Sequence, residues 1–148
     1  MSGMTALGSG LAGALALTAV HETARQQIST APRMDMLGMQ AVENGFRSVH
    51  AQPPQGTALY ELAMVGDIVS NALYYSMVAA GKPEGALLRG AMLGLTAGLG
   101  AVVLPKPLGL QPQLNRTTAT HAMTIGWYLL GGLAAGAAYQ MLSRGQRR

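Results

Sequence analysis

Cysteine is absent from the 148-residue chain, and charge is scarce: ten Lys or Arg and six Asp or Glu. The first absence excludes disulfides, thiolate zinc sites, iron–sulfur clusters and cysteine nucleophiles together. The second is as informative, because 11% charged residues is under half of the ~25% usual in globular proteins. Aromatic residues are few, with one Phe and one Trp, and the net charge of +4 is spread along the chain apart from Arg144, Arg147 and Arg148 at the tail. A nucleic-acid-binding surface needs a basic stripe with stacking aromatics, so nucleic acid is excluded as a partner.

Catalytic signatures are missing too. His21-Glu22 continues as Thr23-Ala24-Arg25, so no second His completes an H-E-x-x-H helix. No G-x-S-x-G, no Walker loop and no G-x-G-x-x-G following a strand occurs, and there is neither a solenoid repeat nor a low-complexity tract. No enzyme class is indicated.

What the chain has instead is apolar length and glycine. Half of it is hydrophobic (49%), and twenty residues are Gly. In exposed soluble helices each Gly costs ~1 kcal/mol against Ala, whereas membrane helices use Gly to bring backbones together. The mean hydropathy of +0.25 is diluted by a polar stretch over 21–57. The pattern predicts an all-α, polytopic membrane protein, one domain over 1–148, with four transmembrane helices at about 3–24, 57–80, 86–104 and 119–142. An interfacial amphipathic helix at about 32–51 separates the first two.

Gly3 to Val20 carries no charge. Ala14-Leu15-Ala16 resembles a signal-peptidase site, but no Lys or Arg precedes Arg25, so a retained helix is expected. Gly10, Ala14 and Thr18 recur at the spacing of a helix–helix contact, and His21 and Arg25 continue that side. Ser29-Thr30-Ala31-Pro32 reads as a helix start. Beyond it Leu37, Ala41, Val42, Phe46 and Val49 share an apolar arc opposite Gln40, Glu43 and Arg47, as on a helix lying along a bilayer surface. Asp35 falls on the apolar side, in the first turn, where the helix dipole favours an anion. Pro32-Arg33-Met34-Asp35 forms a local charged cluster.

The second span, Leu59 to Ala80, contains Asp67. At ~100° per residue Tyr60, Ala63, Met64, Asp67, Ser70, Asn71, Tyr74 and Tyr75 share one side, with Glu61 off it near one end. A carboxylate at membrane depth costs at least ~2.5 kcal/mol, so Asp67 should face protein, water or an ion rather than lipid. After the turn Gly81-Lys82-Pro83-Glu84-Gly85, the third span carries Arg89 one turn inside, expected to snorkel to the interface, and a zipper of Gly90, Gly94 and Gly98. Ala122 to Leu142 lacks charge throughout and carries Gly132 and Gly136, which makes it the clearest span by length. Lys and Arg divide five to five between the two sides, so the positive-inside rule is silent. The clustered tail charges favour cytoplasmic termini, both on one side of a bacterial inner membrane.

Antiparallel threading gathers His21, Glu22, Arg25, Asp35, Glu61, Asn115, Arg116 and His121 on one side, with Asp67 ~12 Å deeper at the helical rise. Three readings follow. In the first, His21, Glu22, Arg25 and Asp35 pair among themselves and hold the surface helix on the bundle. In the second, Asp67, Ser70, Asn71 and Tyr74 line a cavity for a small solute or ion. In the third, which is not favoured, His21 and His121 at similar depth ligate haem or a metal ion. The role expected is binding or structural, with the lipid bilayer as one partner and a homo-oligomer or larger membrane complex formed through the glycine ridges as another.

Overall fold

The computed structural model describes residues 3–110 and 117–145. Asn115, Arg116, Arg147 and Arg148 lie outside the described residues. Five α-helices account for most of the rest: α1 (Gly3–Gln27), α2 (Met34–Ser48), α3 (Gly56–Ser76), α4 (Ala86–Val103) and α5 (Thr118–Gly145). Short 3-10 turns at Met77–Ala79 and Pro83–Gly85 join α3 to α4. Among the described residues, three segments are long and apolar enough to cross a membrane: Gly3–Gln27, Gly56–Ala79 and Pro83–Val103.

Helix α5, expected as the clearest span, is not among those three. The reason lies in its position. It packs between α1 and α4, and its buried side is built from Thr120, Thr124, Gly131, Gly132, Ala135, Gly136 and Tyr139. A central helix approached closely by two neighbours needs small residues, and small or hydroxylated residues contribute little hydropathy.

The four long helices run antiparallel to their neighbours. Gly13 of α1 meets Gly131 of α5, and a Cβ added to Gly13 would lie 2.6 Å from the Gly131 carbonyl oxygen. Gly90, Gly94 and Gly98 of α4 oppose Gly132, Tyr128–Leu129 and Ile125 of α5 in descending order. So the ridge of Gly90, Gly94 and Gly98 is buried within the chain, against the backbone of α5. Gly10 on α1 abuts the backbone of α3 at Ala72 and Ser76 in the same manner.

The apolar core of Leu17, Tyr75, Val78, Ala79, Ala86, Ala135 and Tyr139 sits toward the α3–α4 turn. Tyr75 is fully buried and donates to the Tyr128 carbonyl at 2.7 Å. Tyr139 closes that end by donating to the Gly81 carbonyl at 3.3 Å. Arg89 reaches back from the first turn of α4 to the α3–α4 turn at the end of the bundle. Its Nε donates to the Val78 carbonyl at 2.9 Å and an Nη to that of Lys82 at 2.8 Å, satisfying carbonyls left open where α3 ends. Outward positions such as Leu62, Val65, Leu73, Leu88, Met92, Leu99 and Leu133 are exposed, an apolar surface suited to lipid rather than water.

Helix α2 starts two residues later than the hydroxyl-rich start signal implies. Neither Ser29 nor Thr30 caps it; Arg33 holds the cap position without a side-chain bond, and Pro32 is buried ahead of the helix. The Thr30 carbonyl instead accepts from the Thr120 hydroxyl at 3.1 Å, tying the α1–α2 connection to the start of α5.

Candidate functional site

At the end of the bundle away from the α3–α4 turn, the charged residues of α1 and α2 meet the first turns of α3. Arg25 forks onto Glu22 on its own helix, with Nε and an Nη to one Glu22 oxygen at 2.8 and 2.6 Å. Tyr60 of α3 donates to the same oxygen at 3.0 Å, and its ring lies 5.7 Å from the Arg25 guanidinium carbon. The other Arg25 Nη lies 3.9 Å from Asp35, which is gripped by Arg33 in two parallel bonds of 2.8 and 2.6 Å. The Asp35 side chain is only 4% exposed. Burial pushes its carboxyl upward, but the Arg33 hydrogen bond and charge, the Met36 backbone N–H and Arg25 outweigh it, so Asp35 titrates below its ordinary value. The Arg33 guanidinium rises above its own ordinary value, chiefly through its hydrogen bond to Asp35.

Of the residues expected in this cluster, Glu22, Arg25 and Asp35 do meet. Arg33 and Tyr60 complete it. Tyr60 was legible on the polar arc of α3, and Arg33 through its place two residues before Asp35. Glu61 stands apart: it is exposed and lines neither of the two cavities described below.

Directly beneath the cluster lies a small chamber of about 30 Å³, walled by Thr18, His21, Glu22, Met34, Asp35, Gly38, Tyr60, Ala63, Met64 and Asp67. His21 is 7% exposed, and its ring meets the edges of Trp127 and Tyr128 at centroid distances of 5.2 and 5.7 Å. Its Nε2 and the Thr18 Oγ1 are buried with no hydrogen-bond partner among the described residues. Water needs at least ~10–15 Å³ of such volume, so the chamber has room for one or two molecules bridging these atoms.

His21 is thus drawn to the level of Trp127 and Tyr128, not His121. Six to seven residues of α5 separate the two levels, ~9–10 Å at the helical rise. His121 is half-buried and lines neither cavity. The expectation of two imidazoles at one depth fails because it assumed equal helix offsets. Among the described residues no group of three or more His, Cys, Asp or Glu is placed to hold a metal ion.

The larger cavity is a groove of about 600 Å³ between α2, α3 and α4. One wall is apolar: Met34, Leu37 and Ala41 of α2, with Ala97, Gly100, Ala101 and Leu104 of α4. The other is the polar arc of α3, where Asp67, Ser70, Asn71 and Tyr74 stand in one row. These four are the residues expected to share a cavity. Asn71 Nδ2 donates to an Asp67 carboxylate oxygen and to its carbonyl, both at 3.0 Å, and Tyr74 donates to the Leu93 carbonyl of α4 at 3.0 Å. Asp67 borders both the groove and the chamber, and is the one charged side chain among the described residues lining the groove. No ion pair reaches it from the described residues; Arg25 is turned toward Glu22 and Asp35.

Compared with protein-family models, with curated proteins and with solved structures, the chain has no significant match to any.

Proposed function

We propose that this chain is a four-span integral membrane protein that binds a small, mainly apolar molecule, taken from the bilayer into the groove between α2, α3 and α4. The observation that carries the reading is Asp67: a lone carboxylate on the polar wall of an otherwise apolar groove of about 600 Å³. That volume is in the range of small-molecule sites, ~300–1,000 Å³, and a few polar groups in an apolar cleft are what such sites use to orient a ligand. A carboxylate kept at this depth without an internal cation is costly, and costly groups in membrane helices commonly serve function.

The fourth crossing is supported by packing. Helix α5 runs antiparallel to both α1 and α4 along their length, and its 28 residues span ~42 Å. With four crossings both termini share a side, and α2 lies along the opposite surface with its apolar residues toward the groove. The tail arginines favour the cytoplasm for the termini, in a bacterial inner membrane. The charge cluster then has a positioning role: it clamps α2 over the groove. Association with further copies or a larger complex would use the lipid-facing sides, because Gly90, Gly94 and Gly98 are taken up by α5 inside the chain.

Native mass spectrometry from mild detergent tests the binding reading. Gly100→Leu fills the groove, since a Cβ there meets only Leu104 Cδ1 at 3.4 Å. The parent protein should retain a low-mass adduct that Gly100→Leu loses; identical spectra would refute the reading. Topology reporters placed after Gly109 and after Gly145 should fall on opposite sides, and agreement between them would remove the fourth crossing.

A further inference from the structure

We infer that the groove selects a hydrophobic cation: a molecule with an apolar or aromatic body and one delocalised or weakly hydrated positive charge. The inference rests on the groove being a binding site and adds the class of ligand. Three observations point the same way. Asp67 is the one charged side chain among the described groove residues, and no Lys or Arg among them shares the lining. An anionic ligand would meet only repulsion there, and a neutral one would leave the carboxylate without a counter-charge in a medium where charge is normally paired. The two arginines that flank the neighbouring chamber are already engaged, Arg25 by Glu22 and Tyr60, and Arg33 by Asp35.

The second observation concerns how Asp67 is held. Its one side-chain hydrogen bond among the described residues comes from Asn71, one turn along the same helix. A carboxylate has about four lone-pair positions, so the Asn71 bond fixes orientation and leaves acceptor capacity free. The third is aromatic. Tyr74 and Tyr128 also line the groove, and the Tyr74 ring is held in place by its hydroxyl bond to Leu93. Ring faces near a carboxylate attract a desolvated cation by the quadrupole as well as by charge. A phospholipid fits less well, since its phosphate would be brought to the carboxylate.

Two ions of matching shape and opposite charge make the test: tetraphenylphosphonium and tetraphenylborate, measured by equilibrium dialysis of the purified full chain against protein-free micelles of the same detergent. Tetraphenylphosphonium should bind at least tenfold more tightly than tetraphenylborate. Asp67→Asn should weaken it tenfold or more, Asp67→Glu should restore most of the binding, and Glu61→Gln, at an exposed site away from the groove, should leave it unchanged. Gly100→Leu should abolish it. Equal binding of both ions that Gly100→Leu still removes would overturn the choice of a cation and keep the groove as a site. If neither ion's binding responds to Gly100→Leu, the groove is not the site and both readings fall. Phosphonium binding unaltered in Asp67→Asn would sink the role given to the carboxylate.

Discussion

Helix α4 meets its neighbours in two opposite ways. On one side Gly90, Gly94 and Gly98 press against the backbone of α5, so close that a Cβ at Gly94 would lie 2.5 Å from the Tyr128 carbonyl oxygen and 2.6 Å from the Leu129 Cα. On the other side Ala97, Gly100 and Ala101 face α3 and α2 across an open groove. Both sides consist of small residues. The difference comes from the partner: α5 brings its backbone against the stripe, at Gly132 for Gly90, at Tyr128–Leu129 for Gly94 and at Ile125 for Gly98, whereas α3 offers Asp67, Ser70, Asn71 and Tyr74. A small-residue stripe closes an interface where the facing helix presents its backbone; facing polar side chains it leaves space.

The sharpest way to break that contrast is Gly94→Leu. Its side chain would enter the backbone of α5, and overpacking of this kind costs ~1–3 kcal/mol, sometimes more. A large loss of thermal stability in detergent is expected, and a variant as stable as the parent would show that α4 and α5 do not meet as described. Next in size is Asp35→Asn, which frees the end of α2 and so one wall of the groove. Losing hydrogen bonds to a charged partner should cost about 2 kcal/mol. Hydrogen exchange should rise in α2 and remain slow along the α4–α5 seam.

The same residue sets a pH dependence. The folded Asp35 carboxyl lies below its ordinary value, so its contribution is complete above the unfolded value near pH ~4. It is lost as the pH falls through the lower, folded value. Proteolysis within α2 should therefore stay slow from pH 7 to about 4 and accelerate below. The difference between parent and Asp35→Asn should shrink over that acid range; a constant difference would mean that the Arg33 contact contributes nothing.

Asp67→Asn should have a smaller effect of a different kind. No partner is orphaned among the described residues, so melting should hold within about 1 kcal/mol or rise, as when a costly functional group is removed. A large loss rescued by neutralising Arg25 would instead make Asp67 part of the structural cluster. Smallest of all is Gly100→Ala, where the added methyl meets only a flexible Leu104 side chain. Stability should change by no more than about 0.5 kcal/mol. Set beside Gly94→Leu, it measures the two faces of one helix.

Much of this was readable in the chain. The helical spacing of α3 gathered Tyr60 through Tyr75 on one side, and every member of that arc faces the chamber, the groove or the core. The helix bounds differ from expectation by a few residues at most. One expectation was not met: His21 and His121 were expected at one depth, which depends on how far one helix slides past another. The close Gly13–Gly131 contact of α1 with α5 goes with an offset that brings His21 to Trp127.

By itself, then, the sequence determined the class of the protein, its helices and the side that each helix turns inward, because these follow from hydropathy and from a period of 3.6 residues, which are local properties. Tertiary structure alone decided which small-residue stripe closes and which stays open. It also decided that α5 is central, that Arg25 joins Glu22 and Tyr60 to the Arg33–Asp35 pair, and that Asp67 stands between a chamber and a groove. Those outcomes depend on the relative offset and spacing of helices far apart in the chain. An offset is set by pairs of surfaces fitting one another, and neither surface carries that information alone.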